Sequence, residues 1–164
     1  MTSDGTKKEF ERLAAHLDYA MFVVTAASQS QRAGCLVGFG SQCSIDPPRF
    51  MVFLSDKNFT YRVALESPVL AVHVVPEGAE ALARLFGEET GDEVDKFERC
   101  DWEPGPHGVP ILSECSDRFV GRVLHRHAVG DHTAFLLEPL EARADGGGFF
   151  PFRKAQELDP GHEA

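Results

Sequence analysis

Apolar residues recur at helical spacing in two places along the chain. Phe10, Leu13, Ala14 and Leu17 fall on one face of a helix of about three turns. Ala79, Leu82, Ala83 and Phe86 form a second stripe, with Gly87 after it as the expected C-cap. Elsewhere the texture changes. Residues 20–27, 35–39, 50–54 and 69–75 are short runs dense in Val, Phe and Leu, the composition of strands. Turn-forming residues bound them: 29–32, then Asp46, Pro47 and Pro48, then Ser67 and Pro68. Two longer runs, 117–128 and 133–143, flank Val129, Gly130, Asp131 and His132 and predict an antiparallel hairpin.

The strands are not regularly separated by helices of roughly 10–15 residues, which disfavours a doubly wound parallel sheet. At least six strands with two or three helices predict a mainly β fold, an antiparallel barrel with flanking helices. No internal repeat is present. A helix is expected within 1–18, and the stretch 145–164, which opens Asp-Gly-Gly-Gly, reads as a loop-like tail frayed at 159–164. With 164 residues in all, 1–164 is expected to be a single domain.

Charge and cysteine usage narrow the partners. Lys and Arg number 16 against 26 Asp and Glu, a net charge of −10, so a nucleic-acid backbone would be repelled. No run approaches the roughly 18 apolar residues of a membrane helix. The polar opening, residues 1–9, does not read as a signal peptide. Cys35, Cys43, Cys100 and Cys115 contain no Cys-x-x-Cys pair and are expected as reduced thiols in a cytoplasmic protein, with no metal site.

Three segments could carry chemistry. Residues 34–48 begin as a strand, continue through the small residues Gly38, Gly40, Ser41 and Ser44, and break at Pro47 and Pro48. Small residues let a flat ligand approach backbone N–H and C=O groups, though taken alone the same residues read first as a bulged strand and a turn. In 55–61, Asn58 is a credible N-cap, with Lys57 and Thr60 beside it: an anion site, or an ordinary capped helix. At 130–135, His132 could face a substrate or serve the turn. His125 and His127 alternate on one strand face without an evident third metal ligand. Asp92, Glu93 and Asp95 read as a surface charge run, and Trp102 with 105–108 as loop packing. There is no Gly-x-Ser-x-Gly, Gly-x-Gly-x-x-Gly or P-loop, so an enzyme here would borrow its chemistry from a cofactor.

Taken in order, these segments resemble the flavin reductase family with the FMN-binding split-barrel fold, from about Leu13 to Leu140. The resemblance rests on Cys-Ser-Ile-Asp-Pro-Pro at 43–48, Leu54 and Ser55 with Thr60, Val-Asp-Lys-Phe at 94–97, Gly-Val-Pro-Ile-Leu at 108–112, and Gly-Asp-His-Thr at 130–133. It implies a six-stranded antiparallel split barrel forming one flavin reductase-like domain, usually a homodimer. The implied activity is reduction of FMN or FAD by NADH or NADPH, in many members on behalf of a partner monooxygenase. Carried over by position, Leu36, Val37, Gly38 and Phe39 would line the isoalloxazine. Ser41, Gln42, Cys43 and Ser44 would follow the ribityl chain. Lys57, Asn58 and Thr60 would hold the phosphate, Phe59 would belong to the same cofactor-binding stretch, and His132 would lie near the nicotinamide or the flavin face. No protein acid or base is needed, because hydride passes between cofactors. Two alternatives stand beside this expectation: a flavin-binding protein with little reductase activity, or a split-barrel protein holding another cofactor such as haem through His125 and His127.

Overall fold

The structure, a computed structural model, describes residues 3–161. Helix α1 (Asp4–Ala15) is capped by Ser3, whose side chain accepts from the Thr6 N–H. Four strands follow in close succession: β1 (Phe22–Ala27), β2 (Arg32–Val37), β3 (Gly40–Ser44) and β4 (Arg49–Ser55). Next come α2 (Phe59–Ala64), β5 (Val69–Val74) and α3 (Glu80–Glu88). The remainder holds β6 (Trp102–Pro104), β7 (Pro110–Leu112), the long strands β8 (Arg118–Ala128) and β9 (His132–Arg143), and α4 (Phe152–Ala155).

Seven strands form one antiparallel sheet in the order β2-β1-β5-β8-β9-β4-β3, and β6 with β7 makes a small second sheet. The count exceeds the expected six for local reasons. Residues 40–44 pair with β4 instead of standing free, and Trp102, expected in a loop, pairs with Leu112. The two outermost strands, β2 and β3, are consecutive in the chain with only Gly38 and Phe39 between them. The chain itself therefore links the two ends of the sheet at that joint.

Strand β1 is apolar apart from Thr25, whose buried hydroxyl donates to Pro110 O at 2.6 Å, because both its faces are covered. Val24 and Ala26 enter one core with Val52, Leu54, Leu70, Phe135, Leu137 and the α2 residues Val63 and Ala64. Val23 faces a second core, with α3, Phe97, Leu112 and Phe150. All four residues of the α3 stripe are buried as expected. Gly87, however, is not a cap but lies inside the helix, where a Cβ would come within 2.9 Å of Leu36 Cδ2. Its missing side chain lets α3 lie close against β2.

The β8–β9 hairpin forms as predicted, turning at Gly130 and Asp131, with Val129 N–H on His132 O at 2.9 Å. It carries two register shifts, at 120–121 and 123–125. The apolar stripe predicted near the N-terminus lies on α1 and just beyond it, with Phe10, Leu13 and Leu17 67%, 59% and 54% exposed and Ala14 half-buried. One expectation needs correction. The tail, expected to be loop-like, contains α4 and docks. Phe150 is fully buried, its N–H donating to Val75 O and its O accepting from Met21 N–H, at 2.8 and 2.9 Å. Residues 1–2 and 162–164 of the expected terminal segments lie outside the described residues.

Candidate functional site

Along β2, backbone hydrogen bonding alternates between the β1 side and the open side. Ser28 N–H donates to Gln31 O at 2.8 Å across the β1–β2 turn. Counting inward from that bonded pair, positions 33, 35 and 37 bond to β1, while Gly34 and Leu36 direct their N–H and C=O to the free edge. The edge is used at Gly34, whose O accepts from Lys96 Nζ at 3.0 Å. Leu36, two residues along, presents the same pair of groups.

Leu36 borders a pocket of about 200 Å³ between the ends of β2, β4 and β9. Of the predicted cofactor residues, Leu36, Val37, Gly38, Phe39 and Asn58 line it, and so does His132. Met21, Cys35, Phe53, Leu54, Ser55 and Phe152 complete the wall. The site is apolar, with a few polar groups at its margin, the usual build of a site for a flat organic ring. A Cβ on Gly38 would meet Met21 Sδ at 3.3 Å, so glycine keeps this wall open.

Other predicted residues lie elsewhere. Ser41, Gln42 and Cys43 are exposed on β3, and two of them spend their side chains locally: Ser41 Oγ donates to Gln42 O, and Gln42 Nε2 to Ser44 O. Lys57 is exposed in the turn before α2. Asn58 is the predicted N-cap, its Oδ1 accepting from Thr60 N–H at 2.9 Å. Thr60 is buried, near enough to Cys35 to act on its thiol. Phe59 lines a different cavity, described below.

His132 opens β9 opposite Ser55 of β4, its ring 5.2 Å from that of Phe39. Its Nδ1–H donates to Asp131 Oδ1 at 2.7 Å, which fixes the ring and leaves Nε2 as its other polar atom. That same hydrogen bond, with the charge of the imidazole, holds the Asp131 carboxyl below its ordinary range. Cys35 is buried beneath the pocket, and burial pushes its thiol up, against the lowering effect of Lys96 and Thr60. Burial pulls the Lys96 ammonium down, yet its two carbonyl partners, Gly34 O and Phe86 O, keep it satisfied. His125 and His127 stack on each other at 5.9 Å on an exposed part of β8, and neither lines the pocket. Among the described residues no three His, Cys, Asp or Glu side chains converge to hold a metal. No helix among them is long and apolar enough to cross a membrane.

Sequence reasoning missed Met21, Phe53 and Phe152. Met21 and Phe53 read as ordinary strand residues, and only the docking of the tail brings Phe152 to the wall. Phe152 stacks on Tyr19 with centroids 4.6 Å apart. The aromatic cluster at 149–152 was the available signal.

Comparison with known proteins agrees with this architecture. The FMN reductase (NADH) RutF of Klebsiella pneumoniae is 30% identical over 126 residues, covering 77% of this chain and 76% of that protein. The fold is similar to that of the NADH:FAD oxidoreductase of Streptomyces globisporus, with a TM-score of 0.81 at 23% identity over 92% of this chain and 90% of that one. It is also similar to a crystal structure from Sinorhizobium meliloti, with a TM-score of 0.80 at 20% identity over 92% of this chain, which spans about half (51%) of that longer protein. Residues 14–156 match the family described as the flavin reductase like domain. The chain belongs to that family.

Proposed function

We propose that the protein is an NAD(P)H-dependent flavin reductase that binds FMN or FAD in the pocket between β2, β4 and β9. The observation that carries the reading is the free edge of β2. Leu36 offers a backbone donor and acceptor together at an apolar pocket, which suits a planar ring whose polar rim carries both acceptors and donors. A bound flavin supplies, at ring N5, the acceptor for a hydride from reduced nicotinamide. The chain's own residues bind and orient. Leu36 pairs with the ring edge, Met21, Phe39, Phe53 and Phe152 exclude water, and Asp131 steers His132 at the mouth. Lys57 and Asn58 would meet the phosphate side, with Thr60 acting indirectly by fixing the turn. Ser41, Gln42, Cys43 and Ser44 would follow the ribityl chain from β3.

The reading extends to a split barrel closed through Gly38 and Phe39, a single domain over the chain, a homodimer, and a cytoplasmic location suited to four unpaired thiols. Service to a partner monooxygenase belongs to the same proposal. The test is an absorbance spectrum of the flavin-loaded protein before and after anaerobic NADH or NADPH. Bleaching of the flavin band supports the reductase. A second reading, a flavin-binding protein with little reductase activity, is favoured by Gly38, Phe39 and Phe59, none of which offers a side-chain hydroxyl to a cofactor. It takes precedence if flavin binds and stays oxidised with both nucleotides. The haem alternative loses its basis, because His125 and His127 lie away from the pocket.

A further inference from the structure

A second, larger cavity of about 610 Å³ adjoins the first along β2 and α2. Arg32, Ala33 and Gly34 line the large cavity, and Cys35 to Phe39 line the small one. At the start of α2 the division recurs, with Asn58 on the small side and Phe59 on the large. Ala33, on the large cavity, and Val37, on the small one, lie about 13 Å apart at roughly 3.3 Å per strand residue, within the span of a ribityl–pyrophosphate linker.

The large cavity has its own chemistry. The Arg32 guanidinium lies over Trp102 and Phe97, 4.9 and 5.7 Å from their centroids, and Asp95 holds it at 2.6 Å. A guanidinium fixed on an aromatic platform presents a flat cationic surface on which a nucleobase stacks. Glu93 lines the same cavity and makes no ion pair among the described residues, and a free carboxylate suits a ribose diol. The side chains of Ser28, Gln29, Ser30 and Gln31, also on its wall, make no hydrogen bond among the described residues. They offer amide and hydroxyl groups to a base edge. His107, at the rim, is held at φ 55° and ψ 22°, a left-handed conformation uncommon for a residue with a side chain. The small pocket is the size of a ring system; a dinucleotide needs a second chamber.

We propose that this cavity is a subsite for the adenylate half of a dinucleotide, from FAD or from NADH. The inference rests on the flavin reading above. Trp102 is the only tryptophan in the chain, so its emission reports on this cavity directly. AMP alone, titrated into the protein, is expected to change that emission saturably. In Arg32→Ala and in Glu93→Ala, AMP affinity should fall roughly tenfold, the size of one lost stacking or diol contact. Glu93 is exposed and unpaired, so its variant keeps the fold even if Arg32→Ala does not.

Calorimetry with FMN and FAD then identifies the source. If the adenylate is that of FAD, FAD binds about tenfold tighter than FMN, and both variants erase the advantage without changing FMN affinity. If it is that of NADH, the two flavins bind alike, and the variants raise KM for NADH but not for reduced nicotinamide mononucleotide. The proposal is overturned if AMP leaves Trp102 emission unaltered and both variants treat all of these ligands as the wild type does. Failure of FMN and FAD alike to bind would sink the flavin reading instead, while the AMP titration would still decide the subsite.

Discussion

At His73 the imidazole is wholly buried, and burial pulls its pKa from 6.5 down to about 4, against the raising effect of its bond to Val23 O. Leu112 N–H must donate to Nε2, at 3.1 Å, so Nδ1 carries the proton and donates to Val23 O at 3.0 Å. The neutral ring thereby ties β7 of the small sheet to β1 and β5 of the large one. Between pH 6.5 and 4 the unfolded chain binds a proton that the folded one refuses, so stability falls as pH drops through that window. The full loss is about 3 kcal/mol. Melting temperature measured from pH 7.5 to 4 should fall along this course, and His73→Gln, which keeps a donor and an acceptor, should flatten it. A second residue-scale expectation concerns Gly38. In Gly38→Val the new side chain presses on Met21 and fills the pocket wall, so flavin affinity should drop about tenfold with little change in melting temperature. Calorimetric titration of FMN checks it; unaltered affinity would place the ring elsewhere.

Elements carry the next level. The C-terminal segment is held beside the site by several backbone bonds, Phe152 N–H to Tyr19 O among them, and those of Phe150 bridge Val75 and Met21 while its ring fills the second core. Phe150→Ala should destabilise the fold by about 3–5 kcal/mol in urea unfolding. At temperatures where the variant stays folded, it should also weaken flavin binding several-fold, because Phe152 and Met21 both line the pocket. The opposite holds for α1, none of whose residues is buried. Removal of residues 1–17 should leave flavin affinity unaltered and shift the melting temperature by no more than ~2 °C, read by differential scanning fluorimetry.

The same contrast shows how much was legible in the sequence. Strands announced by their own apolar composition and bounding turns, such as β1, β5, β8 and β9, were visible, as was the buried stripe of α3. Three readings failed because tertiary contact decides them. Gly87 reads as a cap until α3 is laid on Leu36. Trp102 reads as loop until Leu112 arrives opposite it, and 149–152 reads as tail until Val75 and Met21 bind Phe150. At the site, Leu36 and Phe39 were found by position in a motif, but what Leu36 offers is a backbone edge, which no side-chain pattern encodes. The ion pairs of the 92–95 run were equally invisible, since Arg62 and Arg32 come from distant strands and helices.

For the whole molecule the governing quantity is its net charge of −10, set against ligands that are themselves anions. At an ionic strength of about 0.01 M the screening length is roughly 30 Å, so an approaching FMN feels the entire protein. At about 0.1 M it shrinks to roughly 10 Å, and only the groups at the pocket mouth, with Lys57 among them, still act. Riboflavin has the same ring and ribityl chain without the phosphate and is indifferent to this field. The association rate constant of FMN should therefore rise about threefold as salt increases over that range, while that of riboflavin stays constant. Stopped-flow quenching of flavin fluorescence measures both. A rate for FMN that falls with salt would mean that the field at the mouth is positive well beyond 10 Å, and that Lys57 and its neighbours outweigh the rest of the surface.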